Sequence, residues 1–249
     1  GCEWIATGHY ANIREENGRY VISKGKDENK DQSYALWGVS QKSLSRTMFP
    51  LGHLHKSEIR QMAVDRGFTA LVNKPESYEI CFVPDNDYRG FLKRRVDGLE
   101  EKVKGGEFVM EDGTVVGVHE GYPFYTVGQR KGLGIALGFP VYVIEIQKEQ
   151  NRVVLGTFDE LARDGMYVDQ LNMSKVTNLE GKIDTVTKVR YNDPGSPAVI
   201  EQVGDIVKVF FGKGVSAIAP GQAAVFYDGD DVIGGGWIKS SFNQLVNAH

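Results

Sequence analysis

Ala223-Ala224-Val225-Phe226-Tyr227-Asp228-Gly229-Asp230-Asp231-Val232-Ile233-Gly234-Gly235-Gly236-Trp237-Ile238 decides the fold of the C-terminal third of the chain. Asp228-Gly229-Asp230 is a tight-turn signal between two β-prone runs, 223–227 and 232–238, so the stretch predicts a hairpin. Gly234-Gly235-Gly236 within the second run predicts a bulge or a close backbone approach, because glycine otherwise weakens a strand interior. Upstream, 183–189, 198–203 and 206–211 repeat the short alternating pattern. Runs so closely spaced predict a small closed β-barrel over 159–249, since closure leaves no sheet edge exposed.

The preceding stretch, 96–158, predicts a small β-rich domain. Phe108-Val109-Met110 and Thr114-Val115-Val116 face each other across Asp112-Gly113, and Val141-Tyr142-Val143 and Val153-Val154-Leu155 bracket a polar turn ending at Asn151. Between these hairpins, Tyr125-Thr126-Val127-Gly128-Gln129-Arg130-Lys131-Gly132-Leu133-Gly134 is too rich in glycine for a regular element. Its Gln129, Arg130 and Lys131 suit either RNA contact or packing between domains.

Residues 1–95 mix strand and helix. Trp4-Ile5-Ala6-Thr7 reads as a buried strand ending at Gly8-His9-Tyr10, and Asn17-Gly18 predicts a hairpin turn because both residues tolerate positive φ. Helices are predicted over 31–39, 43–48 and 56–66, the last with Ile59, Met62 and Ala63 on one apolar face and Gly67 past its end. A short basic helix is predicted over 87–95. A chain that opens inside a strand, without a leader, predicts a piece of a longer protein.

At 249 residues the chain exceeds one core of ordinary size, which predicts two or three modules. A hydrophobic share of 41% with 25% charged residues is that of globular protein and excludes a disordered one. No apolar run reaches the roughly 18 residues that a spanning helix needs, so no membrane is expected among its partners. Two cysteines, Cys2 and Cys81, make no disulfide framework, so a reducing compartment, the cytoplasm, is expected. The net charge of −4 excludes indiscriminate nucleic-acid binding, so any RNA contact must be local.

Read from its own surroundings, Cys81 is first a buried structural thiol; nothing beside it lowers its pKa, and Glu79 would raise it. Cys2 reads as structural. His9 stands where open α/β sheets place ligands, beyond the carboxyl end of a strand, and both a functional and a structural role are open to it. His53 and His55 have no partnering cysteine or acidic cluster, so no metal site is assigned. In Lys30-Asp31-Gln32-Ser33 the first reading is a helix cap at Asp31. Arg89, Lys93, Arg94 and Arg95 are either a solvated helix face or a phosphate contact.

Several of these runs together resemble the tRNA-specific 2-thiouridylases. They are Ala6-Thr7-Gly8-His9-Tyr10, Lys30-Asp31-Gln32-Ser33-Tyr34, Phe49-Pro50-Leu51-Gly52, Ile80-Cys81-Phe82, the 125–134 run, Arg190-Tyr191, Ala219-Pro220-Gly221-Gln222 and Phe226-Tyr227-Asp228-Gly229-Asp230, in family order across nearly the whole chain. The resemblance implies the back of an α/β ATP-pyrophosphatase domain of the adenine nucleotide alpha hydrolase type over 1–95, a central β-rich domain over 96–158 and a C-terminal β-barrel over 159–249. It places a Ser-Gly-Gly-Val-Asp-Ser nucleotide loop and a first catalytic cysteine ahead of Gly1; neither occurs in this sequence, so this chain alone is expected to be inactive and to bind no cofactor.

The resemblance makes Cys81 the catalytic residue, carrying a persulfide received from a sulfur-relay protein or a cysteine desulfurase and delivering it to the wobble uridine of tRNA. It implies ATP, with magnesium, as the activating cofactor of the complete enzyme, with Gly8 meeting the nucleotide through its backbone. It assigns tRNA contacts to His9, Lys30, Asp31, Gln32, Arg190, Tyr191 and Gln222. The rival readings are a non-catalytic RNA-binding or translation-factor-like module, and a hydrolase dyad of Cys81 and His9 that would need a third, orienting group.

Overall fold

The structure is a computed structural model that describes residues 1–72, 83 and 87–243. Two compact units divide the chain: Gly1–Asn73 with Arg163–His249, and Lys74–Ala162. The N-terminal segment and the barrel, remote in sequence, therefore share a unit.

In the N-terminal segment, β1 (Ile5–Ala6) is followed by the hairpin of β2 (Ala11–Glu16) and β3 (Arg19–Lys24). The hairpin turn carries Asn17 at φ 51 and Gly18 at φ 74, the left-handed pair that the dipeptide predicts. The helix expected over 31–39 shrinks to one 3-10 turn, Ser33–Leu36. Asp31 causes this: its carboxylate accepts the Ser33 N–H at 3.1 Å and the Gly25 N–H at 3.0 Å, offering the backbone a partner that competes with helix.

The helix expected over 43–48 is likewise short. α1 (Gln41–Leu44) is capped by Ser40, and the chain then turns into β4 (Thr47–Met48), which pairs in parallel with β1. α2 (Lys56–Asp65) forms as predicted, with Glu58 accepting the His55 N–H at 2.6 Å and Gly67 in the left-handed region beyond its end. Its apolar face is not buried within the described residues, for Met62 is 40% exposed. α3 (Thr69–Val72) follows.

The second unit holds α4 (Tyr88–Arg95), capped by Asp87, α5 (Leu99–Val103), and a four-stranded sheet. Its strands are β5 (Gly106–Met110), β6 (Val115–His119), β7 (Tyr142–Gln147) and β8 (Arg152–Gly156), ordered β6-β5-β8-β7 with β5 and β8 parallel. Phe108, Val143, Val153 and Leu155 are its fully buried centre. The 125–134 loop packs onto this core through buried Tyr125 and Leu133, and it pairs with β7 through Gly128 N–H to the Val143 carbonyl and Val143 N–H to the Gln129 carbonyl, 2.8 and 2.9 Å. Arg130 and Lys131 remain exposed.

The barrel is built from β9 (Ala162–Met173), β10 (Lys182–Lys188), β11 (Ser196–Val203), β12 (Ile206–Ser216), β13 (Ala223–Asp228) and β14 (Asp231–Phe242). The strand order is β13-β10-β11-β12-β9-β14, and β14 pairs back with β13 to close it. Met166, Val168, Ile200, Val207, Val209, Phe226 and Ile238 fill the interior. β9 lies outside the runs read from sequence, because only Met166 and Val168 are apolar and fully buried in a strand otherwise rich in polar residues.

The triple glycine of β14 makes the close backbone approach expected of it, and the strand opposite it is irregular. A Cβ on Gly235 would stand 2.7 Å from the Ala224 carbonyl oxygen and 3.1 Å from the Trp37 ring, and the β9 pairing shifts register between Gly235 and Trp237. The outer face of β13 and β14 is then covered by the N-terminal segment, where Ala11, Ile22, Tyr34, Leu36, Trp37 and Leu44 pack against Ala223, Val225, Tyr227 and Val232. Burying one sheet face inside the barrel and the other beneath this segment explains why β13 reads as a continuous apolar run.

Candidate functional site

Tyr10 immediately precedes β2 and fixes the position of Gln32. The Gln32 side-chain oxygen accepts the Tyr10 N–H at 3.0 Å, and the Gln32 N–H donates to the Tyr10 carbonyl at 2.9 Å. His9, next in the chain, is half-buried; its Nδ1 lies 2.9 Å from the Thr7 hydroxyl and its ring stands edge-on to Phe49 at 6.2 Å. Gly52 supports this corner, since any side chain there would run into the Ala11 carbonyl.

Asp31 ties the segment to the barrel. Besides the two backbone N–H groups, its carboxylate accepts the Ser33 hydroxyl at 2.8 Å, and that hydroxyl meets the Tyr227 hydroxyl of β13 at 3.1 Å in a buried contact. The Asp31 carbonyl accepts the Tyr191 hydroxyl at 3.2 Å. Tyr34 donates to the Ala223 carbonyl at 2.8 Å; burial first, then the Asp193 charge, push its pKa up to about 12, so it stays a neutral donor. Burial raises the Tyr227 pKa as well.

The turn bearing Arg190 and Tyr191 is held by Asp193, a buried carboxylate that accepts the Val189 and Gly195 N–H groups, both at 3.0 Å. Arg190 is exposed and reaches the Ser216 carbonyl at 3.4 Å. Lys24 and Lys188 place their ammonium groups 5.3 and 5.7 Å from the Tyr227 ring, and Lys30, at the start of the same segment, is half-buried.

The Asp31-Gln32 pair is thus hydrogen-bonded to Tyr10 on one side and to Tyr191 on the other, while His9, bonded to Thr7, adjoins them only as the chain neighbour of Tyr10. Gln222 is exposed at the edge of β13, where its carbonyl accepts the Ile238 N–H at 2.8 Å. Gly8 is exposed at the carboxyl end of β1; a Cβ there would make only an ordinary contact with Leu51 at 3.6 Å, so packing does not demand glycine and the backbone is open to a ligand. Cys81 lies outside the described residues. Cys2, read from sequence as structural, is an exposed free thiol. Among the described residues no group of His, Cys, Asp or Glu is arranged to hold a metal, and no helix is long and apolar enough to cross a membrane.

Sequence reading gave no role to Ser33 and Tyr227, though both lie in quoted runs, and passed over Asp193; all three hold this face in shape. Asn192-Asp193-Pro194-Gly195 is an evident turn, and only that signal pointed to Asp193.

Residues 1–85 match the family described as tRNA methyl transferase HUP domain, 89–157 the tRNA methyl transferase PRC-barrel domain and 163–238 the aminomethyltransferase β-barrel domain. A protein of Amoebophilus asiaticus called tRNA-specific 2-thiouridylase MnmA is 80% identical over 98% of this chain, and the chain spans 65% of that relative. Proteins of the same name from Cytophaga hutchinsonii and Halothermothrix orenii are 75% and 46% identical, over 98% and 97% of this chain and 66% and 67% of their own lengths. The chain thus spans about two thirds of the relatives it matches, and it belongs to the tRNA-specific 2-thiouridylase family.

Proposed function

We propose that this chain is the tRNA-holding, sulfur-carrying part of a tRNA-uridine 2-sulfurtransferase. The observation that carries the reading is the joining of Asp31, Gln32 and Tyr191 into one face, although the first two lie about 160 positions from the third. Seven side chains border or line that face in this reading: His9, Lys30, Asp31, Gln32, Arg190, Tyr191 and Gln222. Because Asp31 and Gln32 spend their side-chain oxygens on the protein, they shape the surface and offer RNA their remaining groups, while Arg190 and the Tyr191 ring are outward.

ATP would supply the activation of the uridine C2 oxygen as a leaving group, and the exposed backbone at Gly8, beyond a parallel strand, suits contact with a nucleotide. Cys81, loaded by a sulfur-relay protein or cysteine desulfurase, attacks C2 with the outer sulfur of its persulfide. The C2–O bond breaks and the activated oxygen leaves; a second thiol then attacks the Cys81 sulfur, forming a disulfide and leaving the outer sulfur on C2. A reductant restores both thiols. The setting is the cytoplasm, where thiols are kept reduced.

The test is nucleoside mass spectrometry of tRNA incubated with the full-length protein, ATP and a persulfide donor. The reading expects oxygen replaced by sulfur on uridine, abolished by Cys81→Ser, with activation of the uridine retained. Methylated uridine, as the family descriptions alone would suggest, or thiolation that survives Cys81→Ser, overturns it. Binding of tRNA without modification would instead favour the RNA-binding module.

A further inference from the structure

The 3-10 turn Ser33–Leu36 and the residue after it, Trp37, carry two buried aromatic rings three positions apart, Tyr34 and Trp37. In such a turn positions i and i+3 lie over one another, so the two rings project on the same side. Each holds an exposed aromatic of the barrel edge-on. Tyr34 stands 6.0 Å from Tyr191 at 71°, and Trp37 stands 5.5 Å from Trp237 at 82°.

The two outer rings are open to a similar degree, Tyr191 at 46% and Trp237 at 42%. They are also linked through the barrel: Trp237 pairs with Ala223, the residue whose carbonyl takes the Tyr34 hydroxyl and which follows Gln222. Trp237 lies two positions beyond Gly235 in β14 and therefore on the same outer face, and Trp37 packs against both the glycine and the indole. A single exposed indole needs no explanation. The same arrangement repeated twice from the helical turn that follows Lys30-Asp31-Gln32 does.

We propose that Trp237 is a second base-stacking side chain of the tRNA surface, receiving an unpaired or extruded base on the face that Tyr191 also borders. The inference rests on the tRNA-binding reading above. A ring already held in orientation loses little freedom on binding, and an indole offers every base a flat partner without reading its sequence.

The test measures tRNA affinity of the full-length protein as wild type, Trp237→Ala, Trp237→Phe and Arg190→Ala across several salt concentrations, with melting curves for each. Trp237→Ala is expected to weaken binding between about fivefold and about a hundredfold, the range of one base–aromatic stack. The loss should be smaller for Trp237→Phe, and the salt slope should stay unchanged because no phosphate contact is removed. Quenching of tryptophan emission on tRNA addition should shrink in Trp237→Phe, which also decides the matter if the alanine variant fails to fold. If Trp237→Ala folds and binds as wild type while Arg190→Ala weakens binding, or if quenching is the same in wild type and Trp237→Phe, the inference is wrong and the tRNA-binding reading stands. If the wild type itself does not bind tRNA, both fall.

Discussion

Replacing Asp231 by Asn probes the joint between the N-terminal hairpin and the barrel. Asp231 begins β14 and is the residue that pairs with Ser23 of β3. Its two oxygens accept the Arg14 guanidinium at 2.7 and 2.8 Å, Lys175 at 2.8 Å and the Ser23 hydroxyl at 3.0 Å. The carboxylate is 15% exposed and Arg14 44%, so the network lies between a surface pair, worth about 0–1 kcal/mol, and a buried one, whose breaking costs about 3–5 kcal/mol.

A loss of about 2 kcal/mol is expected for Asp231→Asn, or roughly 4–8 °C in melting temperature for a unit of this size. Arg14, followed by Lys175 and Ser23, holds the Asp231 pKa well below the usual carboxylate range, against the opposing effect of burial. A carboxyl whose folded pKa is depressed contributes stability fully above its unfolded value near 3.9 and loses it as pH falls toward the folded one. Arg14 is raised too, but it is charged at every accessible pH, so only Asp231 gives a pH signature. Melting wild type and Asp231→Asn from neutral pH downward should show a gap that is constant above about pH 4 and closes below it. Equal melting at pH 7, or a gap that does not close in acid, would refute the assignment.

Gly235→Ala should cost about 1–3 kcal/mol in urea unfolding, because the added carbon would crowd the Ala224 carbonyl and the Trp37 ring. His119 is buried, accepts the Gly121 N–H at 3.0 Å through Nδ1 and, among the described residues, leaves Nε2 without a partner of good geometry. Burial lowers its pKa, weakly opposed by the Glu107 backbone, so its stabilising effect is present above about pH 6.5 and is lost below it. Amide exchange in β5 and β8 should therefore quicken on acidification in wild type and change less in His119→Gln. Arg190→Ala should weaken tRNA binding and flatten its salt dependence by about one counterion; an unchanged slope in a folded variant would remove Arg190 from the phosphate contacts.

What could be read along the chain was local. Asn17-Gly18, Asp112-Gly113, Asn151 and Asp228-Gly229 mark their turns because positive φ is a property of the residues themselves, and all but Asp112 and Asp228 adopt it. Where packing competes with local preference, the reading fails. The 43–48 run forms one helical turn and then a strand, since Thr47 and Met48 pair with β1, and β9 escapes notice because its outward residues are polar.

Resemblance to a family, carried by ordered short motifs, was enough to name in advance the seven contacts of the proposed function, but neither Trp237 nor what joins them. Gln32 meets Tyr10 at a separation of 22 residues, Asp31 meets Tyr191 at 160 and Ser33 meets Tyr227 at 194. Trp237 belongs to no motif, and only its tertiary contact with Trp37 distinguishes it. Sequence by itself determined turns, alternation and the family; the tertiary structure alone decided which distant groups meet. The reason is that dihedral preference and alternation act over a few residues, whereas a hydrogen-bond partner or a ring's neighbour depends on which strands barrel closure brings together.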